Sequence, residues 1–290
     1  MTSQILVTLD GTVHDAAAPF LHADDLAAVR GDGVFETLLI RDGRTRRVTA
    51  HLDRMQRSLA MMDLPVAKLD AWRHAIGIAE KEWASAAGDA EGWLRLVTSR
   101  GRESDPAAGP TCYVMVGPVG DRVRQSRSDG IAVITLDRGY PLDLAGRAPW
   151  QLLGAKTLSY ATNMAALRYA AQQGADDVIY LSSEGMVLEG PRSTVIVVRG
   201  KTLVTPPTEI GILPGTTQRG VFARAADAGW ATEIAELRPA DLRAADTVWL
   251  VSSVTLAARV TALDSAPMPG SPNDDEFMDL VDQSVSVDPE

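Results

Sequence analysis

The stretch Gly154-Ala155-Lys156-Thr157-Leu158-Ser159-Tyr160 carries the reading of this chain. It joins an irregular segment around Pro149 to an apolar pattern of helical spacing. Small residues before a lysine leave room for another molecule to approach. Partial desolvation at such a junction favours the neutral amine that a nucleophilic, Schiff-base-forming lysine needs. Tyr160 follows four residues on, one helical turn away and near the same face. The bland alternative is a solvated charge, which most lysines are. Composition weighs against it here. Of 28 basic residues only Lys68, Lys81, Lys156 and Lys201 are lysines, and the other 24 are arginines. Arginine replaces lysine as a surface charge but not as a primary amine that must become neutral. Lys68 and Lys81 flank a helical pattern and Lys201 follows Gly200 in a turn. Lys156 is the lysine that such placements do not explain.

Other candidates lie to either side. Glu189, in Val187-Leu188-Glu189-Gly190-Pro191-Arg192-Ser193, precedes an apolar strand pattern and could pair with a protonated ring nitrogen; an exposed turn carboxylate is the plainer reading. Leu213-Pro214-Gly215-Thr216-Thr217-Gln218 opens a helical pattern, where backbone N–H groups and threonine hydroxyls can cradle an anion or simply cap a helix. Arg54 could offer a guanidinium fork to a phosphate. Ser252-Ser253 ends an apolar strand, a position where open α/β sheets place ligands. Gly31-Asp32-Gly33 lacks the strand-before, helix-after context of a dinucleotide loop and reads as a tight backbone site.

The element pattern predicts α/β architecture in two parts. In residues 1–118, strands at 5–9, 34–40, 93–98 and 112–116 combine with two helices into a small α+β domain. The first helix is expected to be capped by Thr49 and to bury Leu52, Met55, Leu59 and Met62. The second, over 69–86, carries Trp72, Ile76, Ile78 and Trp83. Arg41-Asp42-Gly43 marks a hairpin. Residues 119–124 read as a linker. Residues 125–264, with strands at 131–136, 177–181, 194–198 and 247–251 and helices at 158–173 and 217–228, read as a larger α/β domain. The acidic, Pro/Gly-rich stretch 265–290 reads as a poorly ordered tail.

Bulk properties exclude several classes. A net charge of −10 argues against a nucleic-acid partner. No apolar run approaches the ~20 residues of a membrane span, and the first residues lack the pattern of a secretory leader. Cys112 alone makes no internal disulfide, and His14, His22, His51 and His74 lack metal-ligand spacing. A cytoplasmic enzyme with no metal and an organic cofactor, or none, is expected.

Taken in order, Arg54, Lys156, Glu189, Thr216-Thr217 and Ser253 form an arrangement that resembles the fold-type IV, or class IV aminotransferase, family of pyridoxal-5′-phosphate (PLP) enzymes. That family contains branched-chain aminotransferases, D-amino acid transaminases and aminodeoxychorismate lyases. The matching stretches are Arg30-Gly31-Asp32-Gly33-Val34-Phe35-Glu36-Thr37, His51-Leu52-Asp53-Arg54, Lys156-Thr157-Leu158-Ser159-Tyr160, Leu188-Glu189-Gly190 with Ser193-Thr194-Val195, Ile212-Leu213-Pro214-Gly215-Thr216-Thr217 and Ser252-Ser253. The resemblance implies a D-amino acid aminotransferase-like fold with PLP enclosed by the two domains, and a homodimer. It implies that Lys156 binds PLP covalently and shuttles the substrate proton. Glu189 would face the pyridine nitrogen and Tyr160 the phenolate. Arg54 and Ser253 would bind phosphate by side chain, Thr216 and Thr217 by backbone. Phe35 and Glu36 would line the substrate side.

Within the family, the tyrosine four residues after the lysine is similar to aminodeoxychorismate lyases, which release 4-aminobenzoate and pyruvate for folate synthesis. D-amino acid transaminases carry an Arg-x-His carboxylate trap after an Arg-Gly pair. Here Arg100-Gly101 leads into Arg102-Glu103-Ser104 without that histidine, leaving Arg102 as a partial substitute, and Phe35 stands where those enzymes tend to have tyrosine. The lyase is the first expectation. The alternative is a D-amino acid or branched-chain amino acid transaminase, and the third reading is a catalytically silent PLP-fold binding protein.

Overall fold

The computed structural model describes residues 4–66 and 68–285, which form two compact units. In the first, chain order runs β1 (Ile5–Thr8), β2 (Val13–Asp15), α1 (Leu26–Arg30), β3 (Gly33–Arg41), β4 (Arg44–Thr45), α2 (Val48–Met61), α3 (Leu69–Ala87), β5 (Gly92–Ser99) and β6 (Thr111–Pro118). Among the described residues these strands make one six-stranded antiparallel sheet, ordered β2-β1-β6-β5-β3-β4. Alternation along β3 turns Val34, Glu36, Leu38 and Ile40 into the core, where Leu52, Met55 and Leu59 of α2 and Trp72, Ile76 and Trp83 of α3 meet them. Met62 and Ile78 pack against that core half-buried. Phe35 and Thr37 therefore point to the opposite face.

The second unit continues with α4 (Asp121–Asp129), β7 (Ile131–Asp137), α5 (Leu144–Arg147), α6 (Ala161–Gln172), β8 (Asp177–Leu181), β9 (Thr194–Arg199), β10 (Thr202–Thr205), α7 (Thr216–Ala225), β11 (Ala231–Ile234), α8 (Pro239–Arg243), β12 (Thr247–Ser252), β13 (Leu256–Leu263), β14 (Ala266–Pro267) and α9 (Asp274–Ser284). Its strands run β11-β10-β9-β12-β13-β7-β8, with β14 on β13. The centre is antiparallel, while β13-β7-β8 and β10-β11 are parallel. Both units are mixed α/β. Among the described residues no helix is long and apolar enough to cross a membrane.

Four expectations change. The cap of α2 is Arg47 in a left-handed conformation with no side-chain capping hydrogen bond, not Thr49, because the hairpin is shorter than its residues suggested. Part of the expected linker 119–124 is helical, since α4 starts at Asp121. The helix expected from residue 158 starts at Ala161. Residues 155–160 before it are irregular apart from a bridge between Thr157 and Val34, and belong to the first unit. The tail contains β14 and α9, and α9 buries Phe277, Leu280 and Val281. Its acidic run Asp274-Asp275-Glu276 is the first turn of that helix, where negative charge opposes the positive end of the dipole. Residues 286–290 of the expected tail lie outside the described residues.

Candidate active site

In the first unit, the lysine segment lies antiparallel along the start of β3. Val34 bridges Thr157, Phe35 N–H donates to the Lys156 carbonyl at 3.1 Å, and Leu158 N–H donates to the Gly33 carbonyl at 2.8 Å. Gly33 permits this approach: a Cβ there would sit 2.4 Å from the Thr98 carbonyl and 2.7 Å from Leu158 Cδ1. Lys156 N–H donates to Ser58 Oγ of α2 at 3.0 Å. The lysine amine ends in an aromatic corner, 4.6 Å from the Phe35 ring centroid and 5.8 Å from that of Tyr160. Those rings meet edge to face at 5.4 Å.

Arg54 is buried on α2 and donates from Nε and Nη2 to Glu36 at 2.8 and 2.6 Å. His51 Nδ1 lies 2.7 Å from the second Glu36 oxygen. Burial alone would raise the Glu36 pKa, but the Arg54 charge and hydrogen bonds, with those of His51, outweigh it and hold the carboxyl well below the usual range. Burial lowers the His51 pKa despite Glu36. Glu36 thus orients Arg54 and is turned away from the face that carries Phe35. That corrects its expected place on the substrate side; strand alternation separates the two neighbours.

Arg102 is held by Asp24 at 3.1 Å and by Ser104 at 3.1 Å. The Ser104 hydroxyl also donates to Asp24, and these bonds, Ser104 first and Arg102 second, depress the Asp24 pKa strongly. Sequence reasoning passed over Arg95. It lies on β5 opposite Thr37, on the Phe35 face, with its guanidinium 5.8 Å from the Phe35 ring and 5.1 Å from Trp93. Among the described residues Arg95 makes no hydrogen bond or ion pair. Solvent reaches part of the side chain, yet partial burial lowers its pKa. A lone arginine between Leu94 and Leu96 looks in sequence like any outward strand position, so nothing there marked it.

In the second unit, Glu189 Oε2 accepts the Leu213 N–H at 3.1 Å. Burial, then the Glu189 charge, pushes the Tyr140 hydroxyl up to about 12. Helix α7 starts at Gly215 with no side-chain cap, and Thr216 and Thr217 in its first turn are buried. Thr216 Oγ1 lies 3.1 Å from Ser253 Oγ. A Cβ on Gly215 would come 2.3 Å from Thr194 Oγ1, so only glycine fits this turn. An uncapped helix start with two hydroxyls beside it is the donor set a phosphate requires. Taken separately, the first unit offers a primary amine among aromatic rings and the second a main-chain-fixed carboxylate and a helix start, the kinds of group that PLP requires.

The amino-transferase class IV family model matches residues 33–263. This chain belongs to that family. It is 51% identical over 291 residues to a bifunctional aminodeoxychorismate lyase / D-amino acid transaminase of Mycobacterium tuberculosis, covering 98% of this chain and all of that one. The PLP-bound structure of a hypothetical aminotransferase from the same organism matches with a TM-score of 0.94 and 51% identity over 98% of this chain and 99% of that one. A fold IV transaminase from Curtobacterium pusillum matches with a TM-score of 0.91 and 41% identity over 97% of each chain. The class IV enzyme described here is therefore a PLP-dependent lyase or aminotransferase that acts on a small-molecule amino substrate.

Proposed function

We propose that this class IV enzyme is a 4-amino-4-deoxychorismate lyase, releasing 4-aminobenzoate and pyruvate. The observation that carries this reading is that the Lys156 amine and the Arg95 guanidinium lie against the same ring, Phe35, at 4.6 and 5.8 Å. A base and a carboxylate receptor beside one aromatic surface suit a cyclic amino acid substrate with carboxylates. The tie of Arg102 to Asp24 argues against its standing in for the transaminase trap.

When bound, PLP supplies an electron sink for the pair left by a bond broken next to the substrate nitrogen. With PLP bound, Lys156 Nζ would act as the base that takes the proton from ring carbon C4. The C3–O bond breaks, the ring becomes aromatic, and a proton returned to the departing enolpyruvyl carbon gives pyruvate. Glu189, which accepts the Leu213 N–H, would keep the pyridine nitrogen protonated. The Arg54 and Ser253 side chains and the Thr216 and Thr217 backbone would hold the phosphate, and the Tyr160 hydroxyl would face the phenolate. Arg95 takes a substrate carboxylate, in place of Glu36. A homodimer and a cytoplasmic setting belong to the same reading; Trp150, Met164 and Tyr169 are exposed on the second unit, as a surface for a partner copy would be.

The second reading is D-amino acid transamination by the same lysine, favoured by the paired activities of the 51% identical relative. The test is to add aminodeoxychorismate to purified yellow enzyme without any keto acid. Stoichiometric 4-aminobenzoate and pyruvate support the lyase. No product, with turnover of D-alanine and 2-oxoglutarate, replaces it with the transaminase. A colourless protein that takes up no PLP and turns over neither substrate supports the silent binding protein. Borohydride reduction followed by peptide mass mapping should place the cofactor on Lys156, and a label elsewhere overturns that role.

A further inference from the structure

We propose that Ser58 is a positioning residue for Lys156: its buried hydroxyl on α2 fixes the lysine main chain and so the direction in which the amine leaves it. The proposal rests on Lys156 being the cofactor lysine.

Two stripes run side by side on the buried part of α2. Leu52, Met55 and Leu59 form the apolar one; His51, Arg54 and Ser58, spaced three and four residues apart, form a polar one. Serine in a helix interior is a weaker helix former than alanine, and a buried hydroxyl costs desolvation. The polar stripe therefore calls for specific partners. Glu36 serves His51 and Arg54. The Ser58 hydroxyl, 1% exposed, accepts the N–H of Lys156, 98 residues away in the chain.

That bond completes the fixation of the lysine backbone. The Lys156 carbonyl is held by Phe35 of β3, and its N–H by Ser58 of α2. With both groups tied to different rigid elements, the Cα–Cβ direction of Lys156 is set, and the side chain runs to the Phe35–Tyr160 corner. Without the hydroxyl, residues 155–158 keep their bonds to Gly33 and Phe35 but can rock about them. Arg54 lies one turn before Ser58 on the same helix. One rigid helix thus sets both the phosphate-binding arginine and the root of the lysine.

The test uses the holoenzyme and the variants Ser58→Ala and Ser58→Thr. In Ser58→Ala the pH midpoint of the cofactor's visible band should move by about half a unit or more, because the angle and solvation of the amine change. The kcat should fall roughly 10-fold, with KM within about 2-fold, since a misplaced catalytic group slows chemistry more than binding. Ser58→Thr, which keeps the hydroxyl, should recover most of both. A Ser58→Ala enzyme with wild-type midpoint and kcat, whatever its melting temperature, overturns the proposal and leaves Ser58 a structural role only. If Ser58→Ala does not fold, Ser58→Cys, a poorer acceptor of similar size, carries the same readouts. A wild-type visible band in Lys156→Ala would instead show that the lysine itself was misassigned, whatever Ser58 does.

Discussion

Arg54 grips Glu36 with two donors, at 2.8 and 2.6 Å, inside a carboxylate that has no exposure to solvent. Charges at that depth are tolerated only as a set, because a lone buried ion keeps its desolvation cost without its attraction. Glu36→Gln removes the anion and leaves the Arg54 guanidinium buried. We expect unfolding free energy to fall by about 3–5 kcal/mol and PLP to bind more weakly, because the orientation of Arg54 is lost. Urea unfolding of the apoenzyme reads the first effect and equilibrium PLP titration the second. Unchanged PLP affinity in a destabilised variant would remove Arg54 from the phosphate site.

The same trio predicts acid lability in two stages. The folded-state pKa of His51 is lowered from 6.5, chiefly by burial. Below that value the unfolded chain takes up a proton that the folded chain refuses, so stability falls with pH by at most about 1.4 kcal/mol per unit. The folded-state pKa of Glu36 is lowered from 4.5, so its contribution is present above 4.5 and is lost as pH falls further. Urea midpoints measured from pH 8 to pH 4 should fall first below 6.5, then more steeply below 4.5. His51→Gln should flatten the upper stage. A wild-type midpoint constant between pH 7 and 5 would show that His51 does not titrate in this way.

Much of this architecture could be read from residue spacing. The 3.6-residue stripe Leu52–Met55–Leu59 and the β3 alternation are local patterns, and each gave its element nearly whole. Scarcity of lysine is what singles out Lys156 in the sequence, and the structure sets its amine beside the Phe35 and Tyr160 rings. Contacts distant in sequence were not legible. The pairing of residues 156–158 with β3 depends on Gly33 tolerating close approach, which no local pattern encodes, and propensity alone extended the next helix back to residue 158. Glu36 was misplaced for a related reason: the motif that contains it has two faces, and only the buried network shows which one the carboxylate joins. Arg95 is the converse, an outward strand residue whose aromatic neighbours come from strand and chain segments far away.

Gly33 makes that pairing testable. A methyl group there meets a backbone carbonyl at 2.4 Å, and a carbonyl in the middle of a sheet cannot step aside. Gly33→Ala should push residues 156–158 off β3, costing stability by about 1–3 kcal/mol through overpacking and weakening PLP retention on gel filtration. Gly43→Ala is the control at a glycine with open space around it, where the left-handed backbone angle alone is strained. If Gly33→Ala keeps its PLP as wild type does, the segment is held by something other than the β3 edge.

Arg95 should determine affinity for carboxylate-bearing substrates. A hydrogen-bonded charge pair contributes about 1.5–3 kcal/mol, so Arg95→Leu should raise KM for the carboxylate substrate by roughly 10- to 100-fold, with a smaller change in kcat. Its melting temperature should stay near wild type, since the guanidinium makes no ion pair among the described residues. Pyruvate is common to the lyase and transaminase readings, and calorimetric titration of the holoenzyme with it gives a measure free of turnover. Equal pyruvate affinity in wild type and Arg95→Leu would take the carboxylate away from this residue.

Helix α9 should be needed for the second unit to hold together, against the expectation of a loose tail. Phe277 is fully buried, with its ring 4.9 Å from that of Trp249 on β12 and 6.4 Å from that of Trp230. Leu280 and Val281 are buried one turn further on. Removing a large aromatic side chain from such a site loses its transfer free energy and leaves a cavity, about 3–5 kcal/mol together. Phe277→Ala should lower the unfolding free energy by that much and change the fluorescence of Trp249 and Trp230 in the folded state. Ending the chain after residue 272 should be worse, because it uncovers the same ring pocket along its whole length. Asp279→Ala, on the exposed side of the helix, should stay within about 0.5 kcal/mol of wild type. A truncated protein with wild-type urea unfolding would mean that α9 lies on the unit without supporting it.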